Sequence, residues 1–352
     1  MNIDRYTDEA VALLRQLIAT PSVSRDERLA ADTMEQYLAD CRLAPQREGN
    51  NVWAVASGYD RRRPTLLLNA HIDTVKPVAS WTRPPFEPAV EGDRLYGLGS
   101  NDCGGGLVSL LMAFRELTGS GGAATYNLVY LASCEEEVSG KDGFSRVLPL
   151  LPKVDVAIVG EPTGLQPAIA EKGLMVVDAT ARGRSGHAAR NEGVNAIYEA
   201  LDDLVWLRDY RFERVSKLLG PTKMTVTVVN SGTQHNVVPD RCDFVIDVRT
   251  NELYTNEEVF DLIRRHVRSE VKARSFRLGS SSIAEDHPII IRCKEMGMQP
   301  FGSPTLSDQA LMPWPSLKLG PGQSARSHAA DEYICISEIR QAIECYVRLL
   351  SF

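Results

Sequence analysis

The chain has 352 residues, of which 43% are hydrophobic and 24% are charged, and its formal net charge at pH 7 is −7. This length favours two domains, and the composition is typical of a folded enzyme rather than of a disordered or disulfide-stapled protein. A negative chain without a dense block of Lys and Arg argues against nucleic acid and membrane surfaces as partners.

Neither the N-terminal residues nor the cysteines point to an exported protein. Residues 1–10 are polar and acidic where a signal peptide would be basic and then apolar, and no later stretch has spanning length. The seven cysteines form no C-x-x-C pair, as expected where thiols stay reduced. We therefore predict a cytoplasmic protein without a disulfide framework or a cysteine zinc site.

The first half of the chain predicts two helices followed by a buried sheet. Thr7 is predicted to cap the first helix, and Ser24 with Glu27 has capping-box spacing before a second helix that ends near Asp40. Short apolar runs then indicate buried strands, with helices between them. The predicted strands are 52–56, 65–70, 126–132 and 154–159, and the predicted helices are 106–117 and 144–148.

The second half of the chain begins with a change of pattern near Gly173. The predicted strands are 175–181, 224–229, 242–249 and 271–278. A helix at 194–207 follows the first strand, and a helix capped by Thr255 precedes the last. This β-α-β-β-α-β order is that of a ferredoxin-like unit. A helix after Ile283, an apolar run at 316–319 and a last helix from Ser337 would return the chain to the first domain.

We therefore predict an α/β fold with two domains. Residues 1–173 and 279–352 would form a discontinuous metal-binding catalytic domain, with a central mixed sheet flanked by helices. Residues 174–278 would form an inserted ferredoxin-like α+β domain, serving for dimerisation or as a lid.

Polar side chains follow the predicted strands, where ligands bind in open α/β sheets. Imidazole and carboxylate groups without thiolates suit zinc, cobalt or manganese, and two histidines with several carboxylates can hold two ions through one bridging carboxylate. The pattern is typical of a hydrolytic centre. Its candidate residues are His71, Asp102, Glu135, Glu136, Glu161 and His328.

Residues within and beside this set have narrower interpretations. Asp73 lies two positions after His71 and would orient that imidazole rather than bind metal. Glu135 and Glu136 would point apart, so that one binds metal while its neighbour moves protons; alternatively the EEE run is only a solvated loop. Cys103 is predicted to be a small packed thiol, and the alternative is a thiolate ligand of the metal centre. The Gly-rich residues 104–106 lack the ending of a phosphate loop and would pack a helix start closely against the site.

Motifs along nearly the whole chain resemble those of the M20 metallopeptidases. They include LLLNAHIDTV, YGLGSNDCGGGL, SCEEEVSGKDG, VGEPT, GRSGHAARNEGVNAI, NVVPDRCDFVIDVR and GPGQSARSHAADEY, in the order of the family. That family contains acetylornithine deacetylase, succinyl-diaminopimelate desuccinylase, aminoacylase and a glutamate-releasing carboxypeptidase. The resemblance implies a metal-dependent hydrolase of linear amides that uses two divalent ions, Zn²⁺ with Co²⁺ as a substitute, and forms a homodimer through the inserted domain.

The resemblance also assigns roles within the metal centre. The implied ligands are His71, Asp102 and Glu161 for one ion, and Asp102, Glu136 and His328 for the second. Glu135 would be the general base, taking a proton from water and later delivering it to the departing amine.

Three further roles are implied for the inserted domain. His187 would stabilise the oxyanion in the active site of the partner subunit, and Asn236 and Arg249 would contact the substrate and its α-carboxylate. Without the resemblance, His187 is an ordinary turn residue, and an exposed strand-end arginine is nearly as good an interpretation of Arg249.

The implied reaction removes the acyl group from N-acetylornithine or N-succinylornithine in arginine biosynthesis. Two alternatives in the same family remain open: a succinyl-diaminopimelate desuccinylase, and a dipeptidase or other deacylase of N-acyl amino acids. A non-catalytic binding protein is disfavoured because every expected ligand is present in the sequence.

Overall fold

A computed structural model describes residues 1–120, 125–190 and 192–351. None of the described helices is both long enough and apolar enough to cross a membrane. The α-helices, in chain order, are α1 (Ile3–Ile18), α2 (Arg28–Asp40), α3 (Gly105–Ser120), α4 (Phe144–Val147), α5 (Ala196–Asp209), α6 (Asn256–His266), α7 (Pro288–Glu295) and α8 (Ile336–Leu350).

The strands are short, and many of them coincide with the apolar runs of the sequence. In chain order they are β1 (Gln46–Glu48), β2 (Asn51–Val55), β3 (Thr65–His71), β4 (Ala89–Glu91), β5 (Arg94–Tyr96), β6 (Asn127–Ser133), β7 (Val156–Val159), β8 (Ala168–Glu171), β9 (Met175–Arg182), β10 (Gly186–His187), β11 (Lys223–Ser231), β12 (Val237–Val238), β13 (Arg241–Arg249), β14 (Glu270–Ala273), β15 (Ser281–Ser282), β16 (Phe301–Ser303), β17 (Ser316–Lys318) and β18 (Tyr333–Cys335).

The chain divides into two compact units. The first comprises Met1–Ile169, Ile283–Phe301 and Met312–Phe352, and the second comprises Ala170–Ser282 and Gly302–Leu311. The predicted inserted domain, 174–278, lies within the second unit.

The first unit contains a mixed sheet with strands in the order β1-β2-β6-β3-β7-β17. Strand β3 runs parallel to β6 and β7, β17 runs parallel to β7, and β2 is antiparallel to β6. Every residue of β3 and β6 is buried, as expected for strands covered on both faces. Helix α3 packs against β3 and β6, and α2 packs against β2. The predicted central mixed sheet with flanking helices is confirmed.

The second unit contains an antiparallel sheet in the order β11-β13-β9-β14. With helices α5 and α6 in the order β9-α5-β11-β13-α6-β14, this is the predicted ferredoxin-like arrangement. Strands β9 and β13 alternate between buried and more exposed residues, so one face of the sheet meets the core. The buried side chains include Val177, Ala179, Ala200, Phe244, Ile246, Val259 and Ile263.

The first helix starts earlier than predicted. The side chain of Asn2 accepts a hydrogen bond from the Arg5 amide at 3.2 Å and so caps α1. Thr7 lies inside the helix, where its hydroxyl donates to the Ile3 carbonyl oxygen at 2.8 Å. The prediction of Thr7 as the cap was therefore wrong, because its hydroxyl bonds back within the helix.

The capping box predicted for the second helix is absent, whereas the cap predicted at Thr255 is present. Glu27 occupies the N-cap of α2 without a side-chain cap bond, and Ser24 instead donates to Asp73 Oδ2 at 2.7 Å. The capping box predicted at Ser24 was therefore wrong, because a tertiary contact takes its hydroxyl. At α6 the capping box of Thr255 and Glu258 is complete, which agrees with the cap predicted at Thr255.

Candidate active site

The candidate residues of the first unit meet at one edge of its sheet. Strands β3, β6, β7 and β17 are parallel, so their carboxyl ends point the same way. His71 is the last residue of β3, Glu161 follows β7, and the run Glu135 to Glu137 follows β6. His328 lies in the segment that continues from β17. Parallel pairing therefore gathers residues that are far apart in sequence.

His71, Asp102 and Glu161 form the first group. His71 Nε2 lies 3.4 Å from Asp102 Oδ1 and 3.7 Å from Glu161 Oε1. Within the described part of the chain, the buried Glu161 Oε1 atom has no hydrogen-bond partner. A buried carboxylate oxygen that accepts no hydrogen bond and lies near an imidazole nitrogen is well placed to bind a cation. These three residues therefore suit a divalent metal ion.

Asp102 also takes part in a second group, with Glu137 and His328. His328 Nε2 lies 2.9 Å from Glu137 Oε2 and 3.6 Å from Asp102 Oδ2. One atom from each of these three residues lies within 4.8 Å of the others. Asp102 thus turns one oxygen toward each histidine, which is the arrangement of a carboxylate that bridges two ions.

Glu135, the predicted base, is turned into its own loop. Its φ angle is 55°, in the left-handed region, and its Oε2 accepts the Asp142 amide at 3.3 Å. Gly140 packs so closely that a Cβ there would lie 1.7 Å from Glu135 Oε2. The Glu135 amide donates to Glu27 Oε1 at 3.3 Å. These contacts hold Glu135 as part of the loop.

The two following glutamates face the cluster. Glu137, rather than the predicted Glu136, lies against His328. Glu136 Oε2 is 4.0 Å from His71 Nε2, and Glu136 and Glu137 each offer an oxygen within 4.8 Å of that histidine. Relative to the sequence prediction, the structure places the facing pair one residue further along the chain. The run of three glutamates was the signal in the sequence. Three identical residues in a row do not show which two of them face the cluster.

Asp73 holds both His71 and the glutamate turn. His71 Nδ1 lies 2.8 Å from the main-chain carbonyl oxygen of Asp73 and 3.5 Å from its carboxylate. The Asp73 carboxylate accepts the amides of Glu136 at 3.0 Å and Glu137 at 3.1 Å. A protonated Nδ1 leaves Nε2 free to bind a metal ion. The predicted orienting contact is thus made by the main-chain oxygen, and the carboxylate positions the turn.

Electrostatics of the cluster favour a cation. Burial and the charge of Asp102 raise the pKa of Glu161 to about 8. The hydrogen bond with Glu137 raises the pKa of His328 to about 9. Burial opposes ionisation of Asp102, but its hydrogen bond with His71 holds the pKa below the usual value. Several carboxylates thus crowd two imidazoles, and divalent cations would relieve their mutual repulsion.

Cys103 and the Gly-rich segment pack against the loop that carries Glu161. The Cys103 thiol is buried, its Sγ lies 3.5 Å from the Gly160 carbonyl oxygen, and burial raises its pKa well above the usual value. A Cβ on Gly106 would lie 1.7 Å from the same oxygen. These contacts agree with the packed thiol and the close helix packing that the sequence predicted for this segment.

His187 and Asn236 lie together in the second unit. His187 on β10 pairs with Val237 on β12, and the Ala188 amide donates to the Asn236 carbonyl oxygen at 3.0 Å. Both His187 and Asn236 are exposed, and His187 Nδ1 accepts the Ala189 amide at 3.1 Å. The structure therefore brings these two predicted residues to one exposed two-stranded ribbon.

Arg249, the third predicted residue of the second unit, ends β13. Its guanidinium donates to both carboxylate oxygens of Asp247, at 2.8 and 3.1 Å. A substrate carboxylate would have to compete with this half-exposed ion pair for the same donors.

Sequence and structure comparisons place the chain among known proteins. A profile described as Peptidase family M20/M25/M40 matches residues 67–351. The chain belongs to this family. The resemblance seen in its motifs is thereby confirmed, and the protein is a metal-dependent hydrolase of amide bonds.

Individual relatives agree with the family. The chain is 29% identical to an acetylornithine deacetylase of Proteus mirabilis, over 97% of this chain and 95% of the relative. It is 31% identical to a succinyl-diaminopimelate desuccinylase of Burkholderia ambifaria, over 70% of each protein. The crystal structure of YXEP from Bacillus subtilis, described as a dinuclear metal-binding peptidase of the M20 family, matches with a TM-score of 0.77 at 17% identity, over 99% of this chain and 98% of that chain.

Proposed function

We propose that the protein removes the acyl group from N-acetylornithine or N-succinylornithine, releasing ornithine and a carboxylate, in the cytoplasm and in arginine biosynthesis. The hydrolytic part of this proposal rests on the position of Asp102, whose two carboxylate oxygens face His71 and His328. The names of the two curated relatives support an N-acyl amino acid as substrate. A succinyl-diaminopimelate desuccinylase or a dipeptidase is the alternative.

Two divalent ions would occupy the cluster, with Zn²⁺ the first candidate and Co²⁺ a substitute. The proposed ligands are His71, Asp102 and Glu161 for one ion, and Asp102, Glu137 and His328 for the other. Bound there, the ions would supply Lewis acidity that polarises the substrate carbonyl and lowers the pKa of water. Glu137 takes the place that the sequence predicted for Glu136.

Glu136 would then be the general base, in place of Glu135. Its carboxylate faces His71 from the turn that the Asp73 carboxylate holds. A Glu136 oxygen would take the proton from the attacking water and deliver it to the nitrogen of the departing amine. Glu135 is unsuited to this task because the loop around Asp142 and Gly140 encloses its carboxylate.

A homodimer formed through the second unit is part of the proposal. Helix α5 exposes large apolar side chains, and those of Ile197, Leu201 and Val205 are 38%, 47% and 46% exposed. These residues are spaced by four positions and therefore share one face of the helix. Strand β11 lies at the edge of its sheet and leaves Val228 and Val229 exposed. An exposed apolar face of this kind is typical of protein interfaces.

The exposed ribbon of the second unit would supply the remaining substrate contacts. We propose that His187 donates to the developing oxyanion in the active site of a neighbouring subunit, and that Asn236 contacts the substrate. Arg249 would release the Asp247 carboxylate and bind the α-carboxylate of the substrate in its place.

A substrate panel tests the proposal. Purified protein loaded with Zn²⁺ or Co²⁺ would be assayed for kcat/KM with N-acetylornithine, N-succinylornithine, succinyl-diaminopimelate and dipeptides at equal concentrations. We expect the highest kcat/KM with one of the N-acylornithines. Turnover of a dipeptide or of succinyl-diaminopimelate with both N-acylornithines inert would replace this proposal with the alternative.

A further inference from the structure

Asp102 and His328 lie on two segments that are held together by a pair of buried polar side chains. One segment runs from 97 to 102, and the other runs from 322 to 332. Asn101, on the first segment, and Glu332, on the second, each bind the backbone of the opposite segment. We call these two side chains the clasp.

Glu332 supplies the larger share of the clasp. Its side chain accepts three main-chain amides, those of Gly99 at 3.0 Å, Asn101 at 2.8 Å and Asp102 at 2.8 Å. Its own carbonyl oxygen accepts the Gly97 amide at 3.0 Å. Glu332 is only 2% exposed. One carboxylate therefore fixes the backbone of the segment that presents Asp102.

Asn101 closes the clasp from the other side. Its Oδ1 accepts the Gln323 amide at 3.0 Å, and its Nδ2 donates to the Gln323 carbonyl oxygen at 3.1 Å and to Ser327 Oγ at 3.3 Å. Gly322 fits against it so closely that a Cβ there would lie 2.2 Å from Asn101 Oδ1. Ser327 immediately precedes His328. The backbone on both sides of the second metal group is therefore held by reciprocal side-chain bonds.

We propose that Glu332 is a positioning residue that sets the separation of Asp102 and His328, and thereby the affinity for the ion between them. This inference rests on the proposed function, because it takes Asp102, Glu137 and His328 as ligands of one ion. Groups that orient metal ligands typically change metal affinity by about 10–100-fold when they are replaced.

A carboxylate is required at this position for a geometric reason. It is acceptor-only, and its two oxygens serve three amides. In Glu332→Gln one oxygen becomes an NH₂ group, which would face an amide donor. The variant must then lose either the hydrogen bond from Gly99 or those from Asn101 and Asp102. As a result, we expect the 97–102 segment to move relative to His328.

Asp331 provides a matched control on the same segment. Its carboxylate accepts the Thr82 amide at 3.0 Å, the Thr82 hydroxyl at 2.5 Å and the Arg83 amide at 3.1 Å. Asp331→Asn therefore also replaces a carboxylate that binds main-chain amides, but its partners lie outside the 97–102 segment. A comparison of the two variants separates positioning of Asp102 from general support of the loop.

The test is a titration of chelator-treated protein with Co²⁺, followed by its visible absorption spectrum and by calorimetry. For Glu332→Gln we expect at least one of the two dissociation constants to rise about 10–100-fold, with an altered Co²⁺ spectrum. The wild-type constants should persist in Asp331→Asn. The milder variant Glu332→Asp, which keeps the charge but is too short for all three amides, should lie between wild type and Glu332→Gln, and it replaces Glu332→Gln if the latter does not fold.

Unchanged metal affinities and spectrum in the Glu332 variant, with only a lower unfolding temperature of the metal-free protein, would overturn the inference. An equal loss of affinity in Asp331→Asn would overturn it as well. The readout is metal binding, so it is separate from the substrate panel. Protein that binds two ions but cleaves no N-acylornithine would contradict the proposed substrate and leave the role of Glu332 standing.

Discussion

The two units support their candidate residues in different ways. In the first unit, His71 and Asp102 are almost fully buried, and their neighbours Asp73 and Glu332 bind the surrounding backbone. In the second unit, His187 lies exposed on a two-residue strand. The first arrangement is preorganised, as metal coordination needs, because buried ligands with fixed partners lose little freedom on binding an ion.

Among the described residues, the exposed ribbon lacks such support from its own chain. In the part of the chain that the structure describes, His187 accepts one local amide, that of Ala189, whereas the buried His71 lies against Asp73 and Asp102. An exposed side chain with so few partners is held in one position when the surface of another subunit packs over it. Metal binding is therefore proposed for the first unit, and the role proposed for the second unit depends on association.

The largest expected effect distinguishes neighbouring glutamates in the first unit. Glu136→Gln should lower kcat by about 10²–10⁴-fold, because it removes the proposed general base, while metal content stays near that of wild type. Steady-state rates and metal analysis of the purified variant measure both. Glu135→Gln is the matched control and should keep most of the activity. The opposite pattern would restore Glu135 as the base.

The next effect concerns the second unit. His187→Ala should lower kcat by about 10²–10³-fold without changing metal content, because the proposed donor to the oxyanion is lost. His266→Ala, which replaces another exposed histidine of the same unit, should change kcat little. Rates and metal content are measured as before. Full activity of the His187 variant would remove the second unit from the chemistry.

Association can be broken at the exposed face of α5. Leu201→Lys should weaken the dimer by about 2 kcal/mol, or roughly 30-fold in dissociation constant, because a charge would be buried in an apolar interface. Sedimentation at several protein concentrations measures this. Ile291→Lys, on α7 of the first unit, replaces a side chain of similar exposure, 45% against 47%, and should leave association unchanged. A wild-type monomer would contradict the proposed homodimer.

The smallest effect is a pH dependence of the metal-free protein. The pKa values of Glu161, Glu332 and His328 are raised in the folded chain, to about 8, about 7 and about 9. The folded state therefore binds more protons than the unfolded state, and stability falls as pH rises through these values. We expect the unfolding temperature of chelator-treated protein to fall by a few degrees between about pH 6 and about pH 9.

Added Zn²⁺ should reduce this slope, because the ions bind the ionised carboxylates and the neutral imidazole. The measurement is thermal unfolding at a series of pH values with and without metal. An unfolding temperature of the metal-free protein that rises over this range would show that the cluster is not the source of the pH dependence.

The gathering of His71, Glu161 and the glutamate run could be predicted because each follows a buried strand. Parallel pairing of those strands brings their ends to one edge, whatever the details of the loops. The choice among the three glutamates could not be predicted in the same way. They are chemically identical, and the left-handed turn at Glu135 decides which of them face the cluster.

The clasp was also beyond the sequence prediction. Glu332 and Asn101 bind main-chain groups more than 200 positions away, and main-chain amides leave no pattern in the residue types. Ser24 shows the same limit, since its spacing predicted a helix cap and the structure uses its hydroxyl on Asp73.

The sequence by itself determined the fold class, the ferredoxin-like order of the second unit and the chemical types available to a two-metal site. Those properties follow from hydrophobic periodicity and from which polar residues end which strands. Only the tertiary structure decided that Asp102 lies between two histidines, that Glu136 and Glu137 face them, and that Glu332 holds the Asp102 segment in place. Those relations depend on distances of a few ångströms between segments that are distant along the chain.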